Sequence, residues 1–269
     1  MKIVTAIQAR TSSGRLPYKV LLPLCGEPLL FKMIDRINRA ALTGKVVVAT
    51  SVNPDDDIIE KLCKERSISC FRGSLTDLLD RHYQLALDYK ADALVKIPSD
   101  CPLIDPSVID QVIGYYLEYY PAYDYVSNLH PATYPDGNDV EIMSLSALKT
   151  AWKNAHKGFE REHTTPYLWE NPAKFRIGNV RWPTGEDFSG SHRWTIDYEE
   201  DYLFTSEVYN RLFPENPAFG LGDILSLIKD HPEISLINNK YAGRYWYDNH
   251  LDELNHIEEY KRKIAEYEN

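Results

Sequence analysis

Between Gln8 and Lys19 the chain gathers three cations, Arg10, Arg15 and Lys19, around the small and hydroxyl-bearing run Thr11-Ser12-Ser13-Gly14. Small residues let backbone N–H groups face an anion closely, and the cations add charge suited to a polyphosphate. Pro17 stiffens the loop. The plainer alternative is a solvated basic turn. Neither G-x-x-x-x-G-K-[ST] nor G-x-G-x-x-G is present, so this is neither a Walker A loop nor a dinucleotide fingerprint. A carboxylate, Asp100, stands in Pro98-Ser99-Asp100-Cys101-Pro102 just beyond a buried strand expected at Asp92–Ile97. At the carboxyl end of a buried parallel strand it could hold a divalent ion against phosphates, since Mg²⁺ needs only one or two carboxylates beside phosphate oxygens and water. Capping a turn is the competing role. The run Asp55-Asp56-Asp57 reads as charge at a helix N-terminus.

These residues need a scaffold, and the first hundred positions supply one by alternating strand and helix. Strands are expected at Lys2–Ala9, Lys45–Thr50, Ile68–Phe71 and Asp92–Ile97. Helices are expected from Pro28, from Asn53-Pro54 to about Arg66, from Ser74 (capped through Asp77) to about Tyr89, and from Pro106 to before Pro121. Such alternation predicts an α/β fold with a mostly parallel central sheet and helices on both sides. Ligands then gather at the carboxyl ends of the strands, which singles out Gln8–Lys19, Thr50–Asp57 and Pro98–Asp105. Beyond Asp124 the pattern is mixed, with strands at Tyr125–Asn128, Val140–Ser144 and Phe175–Val180. Helices follow at Ser146–Ala155, Arg161–Glu170, Glu199–Leu212 and Leu221–Lys229. A charged helix with a thin apolar stripe is expected over Leu251–Tyr267. The division is one domain over 1–240 and a C-terminal helical extension over 241–269.

Composition excludes several classes. At 43% hydrophobic and 12% aromatic residues the chain can build a core and is not disordered. A formal net charge of −10 disfavours nucleic-acid backbones and anionic membranes, so cations for a triphosphate must be concentrated locally. The apolar runs are too short to cross a bilayer, and Met1 leads straight into a strand with no export-type leader. The four cysteines form no C-x-x-C pair and read as free thiols of a cytoplasmic protein.

Gln8-Ala9-Arg10, Ser13 and Arg15-Leu16-Pro17 with Lys19 resemble the Q-A-R-x-x-S-x-R-L-P-x-K signature of the cytidylyltransferase family of SpsF-like proteins and CMP-sugar-acid synthetases. Tyr18 stands where many members have Gly. Further likenesses follow in family order: Phe71-Arg72-Gly73-Ser74 with Asp80-Arg81, Pro98–Pro106, Asp136-Gly137-Asn138-Asp139-Val140-Glu141, Arg161-Glu162-His163, and Arg193-Trp194-Thr195-Ile196-Asp197. The resemblance implies a Rossmann-like, three-layer α/β/α nucleotidyltransferase fold of the GT-A-like kind. It implies that Gln8, Ala9, Arg10, Ser12, Ser13 and Gly14 wrap a triphosphate, with Arg15 and Lys19 on its β- and γ-phosphates and Arg72, Ser74 and Asp80 near the nucleotide. Asp100 and Asp197, each after a short apolar strand, are implied as ligands of one Mg²⁺. Arg15, Lys19, Asp100 and Asp197 are then the catalytic set. Asp139, Glu141, Arg161, Glu162, His163 and Arg193 are placed on the acceptor side. The implied reaction transfers CMP from CTP to a small anionic, sugar-like acceptor, in a homodimer serving surface-glycan synthesis. A sugar or alditol phosphate as acceptor, or a nucleotide-binding domain without turnover, are the alternatives.

Overall fold

The computed structural model describes residues 1–250 together with Glu253 and Leu254. A seven-stranded sheet forms its middle. β1 (Ile3–Gln8) is flanked by β4 (Lys45–Ser51) and β6 (Ala93–Pro98), and β5 (Cys70–Gly73) extends the β4 side. β8 (Glu141–Ser144), β7 (Tyr125–Ser127) and β9 (Ile177–Asn179) extend the other. β1 is parallel to both neighbours, β4 to β5 and β7 to β9, whereas β8 runs antiparallel to β6 and β7. The chain leaves β1 toward β4 and β5 and then returns to the far side of β1 as β6. The order therefore reverses between β1 and β6, the switch point at which open α/β sheets leave a crevice. Gln8 and Pro98 are paired across that point, so the two segments singled out by their chemistry start from adjacent strand ends.

Side-chain alternation along β1 makes the sheet a middle layer. Ile3 and Ile7 face one core with α1 (Leu29–Ile37), α2 (Asp57–Glu65) and α4 (Pro106–Glu118). Val4 and Ala6 face another with α3 (Leu78–Asp88), α5 (Leu145–Asn154), α6 (Gly158–His163) and α7 (Pro166–Trp169). Burying both faces explains the apolar run Val46-Val47-Val48-Ala49 within β4. A third core joins α8 (Glu199–Leu212), α9 (Leu221–Asp230) and α10 (Pro232–Ser235) to Leu103, Trp194 and Ile196. It therefore fixes the residues on either side of the Asp100 loop and Asp197.

The expected three-layer, mostly parallel arrangement is present, with local differences. Arg161–Glu170 is two short helices, because Thr164 takes φ 72° between them and Pro166 opens the second. Asp77, not Ser74, is the N-cap of α3: its Oδ1 accepts from the Asp80 N–H at 2.8 Å, while Ser74 Oγ accepts from the Asp77 N–H at 3.0 Å. A small hairpin, β2 (Pro23–Leu24) with β3 (Glu27–Pro28), turns through Cys25 and Gly26 at φ 45° and 81°. Residues before Asp197 form no strand; only a single bridge joins Asp136 to Arg193. Beyond Tyr241 the described residues make one short 3-10 turn, Trp246–Asn249. The expected Leu251–Tyr267 helix lies outside the described residues apart from Glu253 and Leu254. Among the described residues no helix is long and apolar enough to cross a membrane.

Candidate active site

A cavity of about 480 Å³ opens at the switch point, a size usual for small-molecule sites. Gln8, Ala9, Arg10, Ser13, Gly14, Arg15 and Lys19 line it from the first loop, and Pro98, Ser99 and Asp100 from the loop after β6. The first loop is tied down at its base. Asp56 is almost wholly buried and accepts from the Thr11 N–H at 2.7 Å and the Thr11 hydroxyl at 2.8 Å, and it also takes the Ser51 hydroxyl proton. Burial works against its charge, but these donors outweigh it and hold its pKa below the ordinary value. Asp56 is thus no mere charge at a helix start: it links the loop after β4 to the loop after β1.

Lys19 stands at the centre of the acidic part. Its ammonium donates to Asp100 Oδ2 at 3.0 Å, Asp197 Oδ1 at 3.1 Å and the Ile196 carbonyl at 2.5 Å, which uses all three of its hydrogens. Two carboxylates far apart in sequence therefore have oxygens within about 6 Å of each other, both on one nitrogen. The backbone explains the meeting: Ile196 N–H donates to the Asp100 carbonyl at 2.8 Å and Trp194 N–H to the Asp136 carbonyl at 2.7 Å. Gly137 makes this approach possible, because a Cβ there would lie 2.7 Å from the Trp194 carbonyl carbon, and its φ is 105°. Arg15, half-exposed, reaches Asp197 Oδ1 at 2.7 Å. Burial would raise the Asp197 carboxyl, yet Lys19 and Arg15 outweigh it and hold it at about 2. Burial likewise opposes the charge on Lys19, and the two acids overcome it, so the amine stays protonated.

Arg193 organises the acids from behind. It is buried and meets Asp201 Oδ1 at 3.0 Å through Nε, Asp197 Oδ2 at 3.0 Å through Nη2, and both Asp136 Oδ2 at 3.3 Å and the Arg244 carbonyl at 3.1 Å through Nη1. Nη2 also donates to Asp201 Oδ2 at 3.2 Å, so every N–H of the guanidinium is engaged. Further in, Lys96 on β6 and Glu141 on β8 are register partners and form a buried ion pair, with the Tyr125 hydroxyl donating to Glu141 Oε2 at 2.6 Å. Asp139, in the same wall, is pushed up to about 7 by burial and by the charges of Asp100 and Glu141. Glu162 and His163 line the cavity too; Glu162 lies 3.8 Å from Arg10, and burial brings His163 down to about 3. His130 packs at a tilt against Trp169 with ring centroids 4.6 Å apart and completes an aromatic flank.

Other residues expected at the site lie elsewhere. Arg72 is outside the cavity, bound to Asp57 at 2.6 Å, Glu60 at 2.8 Å and two backbone carbonyls. Ser74 Oγ accepts from the Asp77 N–H ahead of α3, and Asp80 accepts from Trp152 Nε1 at 2.8 Å and Gln84 Nε2 at 3.0 Å, away from the lining. The cavity face of that pair belongs to Arg81, since neighbours on a helix point roughly 100° apart. Arg161 pairs with Asp77 at 3.2 Å outside the cavity, and Ser12 is exposed beside the lining. Arg81 and Asp136, in motifs expected near the nucleotide and the acceptor, line the site, and Lys96, Asn128, Arg244 and Tyr245 line it without having been expected there.

Two carboxylates this close, one of them held ionised well below neutral pH, suit a hard divalent ion that takes its other ligands from phosphate and water. No group of three or more His, Cys, Asp or Glu side chains that could hold a metal occurs among the described residues.

A cytidylyltransferase family profile matches residues 4–224. The spore coat polysaccharide biosynthesis protein SpsF of Bacillus subtilis is 30% identical over 237 residues, 86% of this chain and 95% of SpsF. The solved structure of a cytidylyltransferase from Leptospira borgpetersenii is 34% identical, superposes with a TM-score of 0.81, and covers 87% of this chain and 96% of its own. A CMP:2-keto-3-deoxy-manno-octonic acid synthetase solved with CTP shares the fold at 16% identity and a TM-score of 0.60, over 78% of this chain and 99% of its own. With a basic loop, two converging acids and a switch-point cavity in family order, the chain belongs to the cytidylyltransferase family and is a nucleotidyltransferase.

Proposed function

We propose that this nucleotidyltransferase carries CMP from CTP to a small sugar acid and releases pyrophosphate. The observation that carries the reading is the meeting of Arg15, Lys19, Asp100 and Asp197 at the switch point. Arg15 offers an exposed guanidinium to the triphosphate, beside the backbone of Gly14. Asp100 and Asp197 would hold Mg²⁺, which when bound supplies neutralising charge to the phosphates. Lys19 keeps the two carboxylates aligned from below, and the reaction needs little from the protein beyond positioning and charge. The acceptor's hydroxyl is held toward the α-phosphorus by the polar wall of Asn128, Asp139 and Glu141.

An acceptor phosphate would call for a further basic cluster, expected at Arg161 and Arg193. Both are already spent on carboxylates and carbonyls, which favours a sugar acid and a CMP-linked product over a CDP-linked one. The same reading sets the protein in the cytoplasm, in surface-polysaccharide synthesis. It also makes it a homodimer, supported by the exposed rings of Tyr119 and Tyr120 at the end of α4. The test is pyrophosphate release from CTP and Mg²⁺ with a panel of sugar acids, alongside thermal shifts with CTP and ATP. Release with at least one acid and stronger stabilisation by CTP are expected. Stabilisation by ATP above CTP would sink the assignment.

A further inference from the structure

The cavity has a wall that the family match does not reach. The match ends at residue 224, yet Arg244, Tyr245, Tyr247 and His250 line the site. They lie on a segment fastened at both ends. On one side Asn238 donates to the Arg193 carbonyl at 2.8 Å and Asp201 Oδ1 at 3.0 Å, and Tyr241 stacks on Tyr198 with centroids 3.9 Å apart. On the other, His250 packs on Phe159 at 5.6 Å, Lys157 donates to the Glu253 carbonyl at 3.0 Å, and Leu254 is buried in the second core. Between these anchors the Arg244 carbonyl accepts from Arg193, the Tyr245 hydroxyl donates to the Ser189 carbonyl at 2.9 Å, and Tyr245 and Tyr247 stack at 4.9 Å.

Charge decides what this wall is for. Lys19, Lys96, Arg161 and Arg193 are all neutralised by carboxylates within the protein. Arg244 is exposed, lines the cavity, and has no carboxylate within 4.0 Å among the described residues; its guanidinium lies over the Tyr241 ring at 5.5 Å. Held through its backbone to Arg193, which also holds Asp136, it stands on the side of the cavity that carries Asp136 and Asp139. An arginine so placed binds a planar or tetrahedral anion through paired N–H groups. The stacked phenols beside it offer flat apolar faces with hydroxyl rims, as a carbohydrate requires.

We infer that residues 243–250 form the acceptor-recognition wall, with Arg244 binding the acceptor's anionic group and Tyr245 and Tyr247 flanking its polyhydroxylated body. The inference rests on the sugar-acid reading above and adds to it the residues that read the acceptor.

The test uses the full chain and three forms: wild type, Arg244→Gln and Arg244→Lys. Initial rates of pyrophosphate release are taken with CTP and Mg²⁺ against 3-deoxy-manno-octulosonate in one arm and glucose 1-phosphate in the other. CTP-induced thermal shifts run in parallel. The arm that supports turnover identifies the anion as carboxylate or phosphate. Arg244→Gln is expected to raise the acceptor KM at least tenfold while the CTP KM and the CTP shift stay within twofold of wild type, and Arg244→Lys to recover part of the loss. An unchanged acceptor KM, or a CTP KM raised as much as the acceptor's, overturns the inference and leaves the nucleotide assignment standing. So does a wild type stabilised by CTP that turns over neither probe. A wild type with no CTP shift and no turnover in either arm sinks the parent reading instead.

Discussion

Replacing Asp197 with Asn keeps the side chain's shape and removes its charge. Three cations lose a partner at once: Arg15 at 2.7 Å, Lys19 at 3.1 Å and Arg193 at 3.0 Å. Burial favours the neutral acid, yet Lys19 and Arg15 hold the carboxyl at about 2 against an ordinary 3.8. That difference corresponds to about 2 kcal/mol of pairing at neutral pH. The folded value is the depressed one, so the contribution is complete above pH 3.8 and fades as pH falls through 2. Asp197 is 18% exposed, which leaves little solvent screening, and stranding the buried Lys19 and Arg193 adds to the loss. Together the change at pH 7 is about 2–4 kcal/mol, and in a chain of this size the melting temperature drops by roughly 5–10 °C. On the proposed function turnover suffers more, because the variant loses a carboxylate that would hold Mg²⁺ against the phosphates: kcat/KM falls roughly a thousandfold. Thermal unfolding and pyrophosphate release on the same preparation check both numbers. A variant that melts within about 1 °C of wild type would show that the three ion pairs contribute little, and one that also turns over normally would remove Asp197 from the active site.

Arg72→Ala should leave kcat/KM within twofold of wild type, since its side chain is bound to Asp57 and Glu60 outside the cavity; a large loss would return it to the nucleotide site. Gly137→Ala forces a side chain against the Trp194 carbonyl at a φ of 105° and is expected to cost about 2–4 kcal/mol in denaturant unfolding. An unchanged midpoint would mean that the loop yields freely. His82 and His163 are held neutral down to about 3, and His130 to about 4, by burial. Their folded pKa values lie below the ordinary 6.5, so stability is present above pH 6.5 and lost as pH falls. At pH 5 each histidine costs about 2 kcal/mol relative to neutral pH, and the melting temperature should fall steeply between pH 6.5 and 5. A flat profile over that window would show that these rings accept protons without unfolding.

The basic loop was legible because its chemistry is local: cations and small residues within twelve positions, directly after a strand. So was the sheet, whose strand–helix alternation needs no long-range information. Lys19 was recognised by its place in the loop, but not its role, because its partners lie 81 and 178 positions further on. Asp197 was reached through likeness and not pattern, since no strand precedes it; backbone pairing with the Asp100 and Asp136 loops carries it to the site. Asp80-Arg81 shows a different limit. Both residues suited a polar site, and only the helix's rotation against α5 decides that Trp152 takes Asp80 while the cavity takes Arg81. Arg244 and Tyr245 were not legible as site residues, and the density of rings over Tyr241–Tyr247 suggested an interface instead, because a wall closed by loop residues has neither periodicity nor a recurrent motif.

The separation between Lys19 and Asp197 also has a consequence in time. Synthesis runs from the N-terminus, so β1, β4, β5 and β6 leave the ribosome well before residue 197 exists. A nascent chain can bury Val4, Ile7 and their helices and still hold only half of its acidic pair. The second acid arrives together with Trp194 and Ile196, which seat only when α8, α9 and α10 are present to cover them. Contacts of such long sequence range form last. During refolding, backbone circular dichroism will therefore recover ahead of pyrophosphate release, and catalytic competence becomes a timestamp for the closing step of folding.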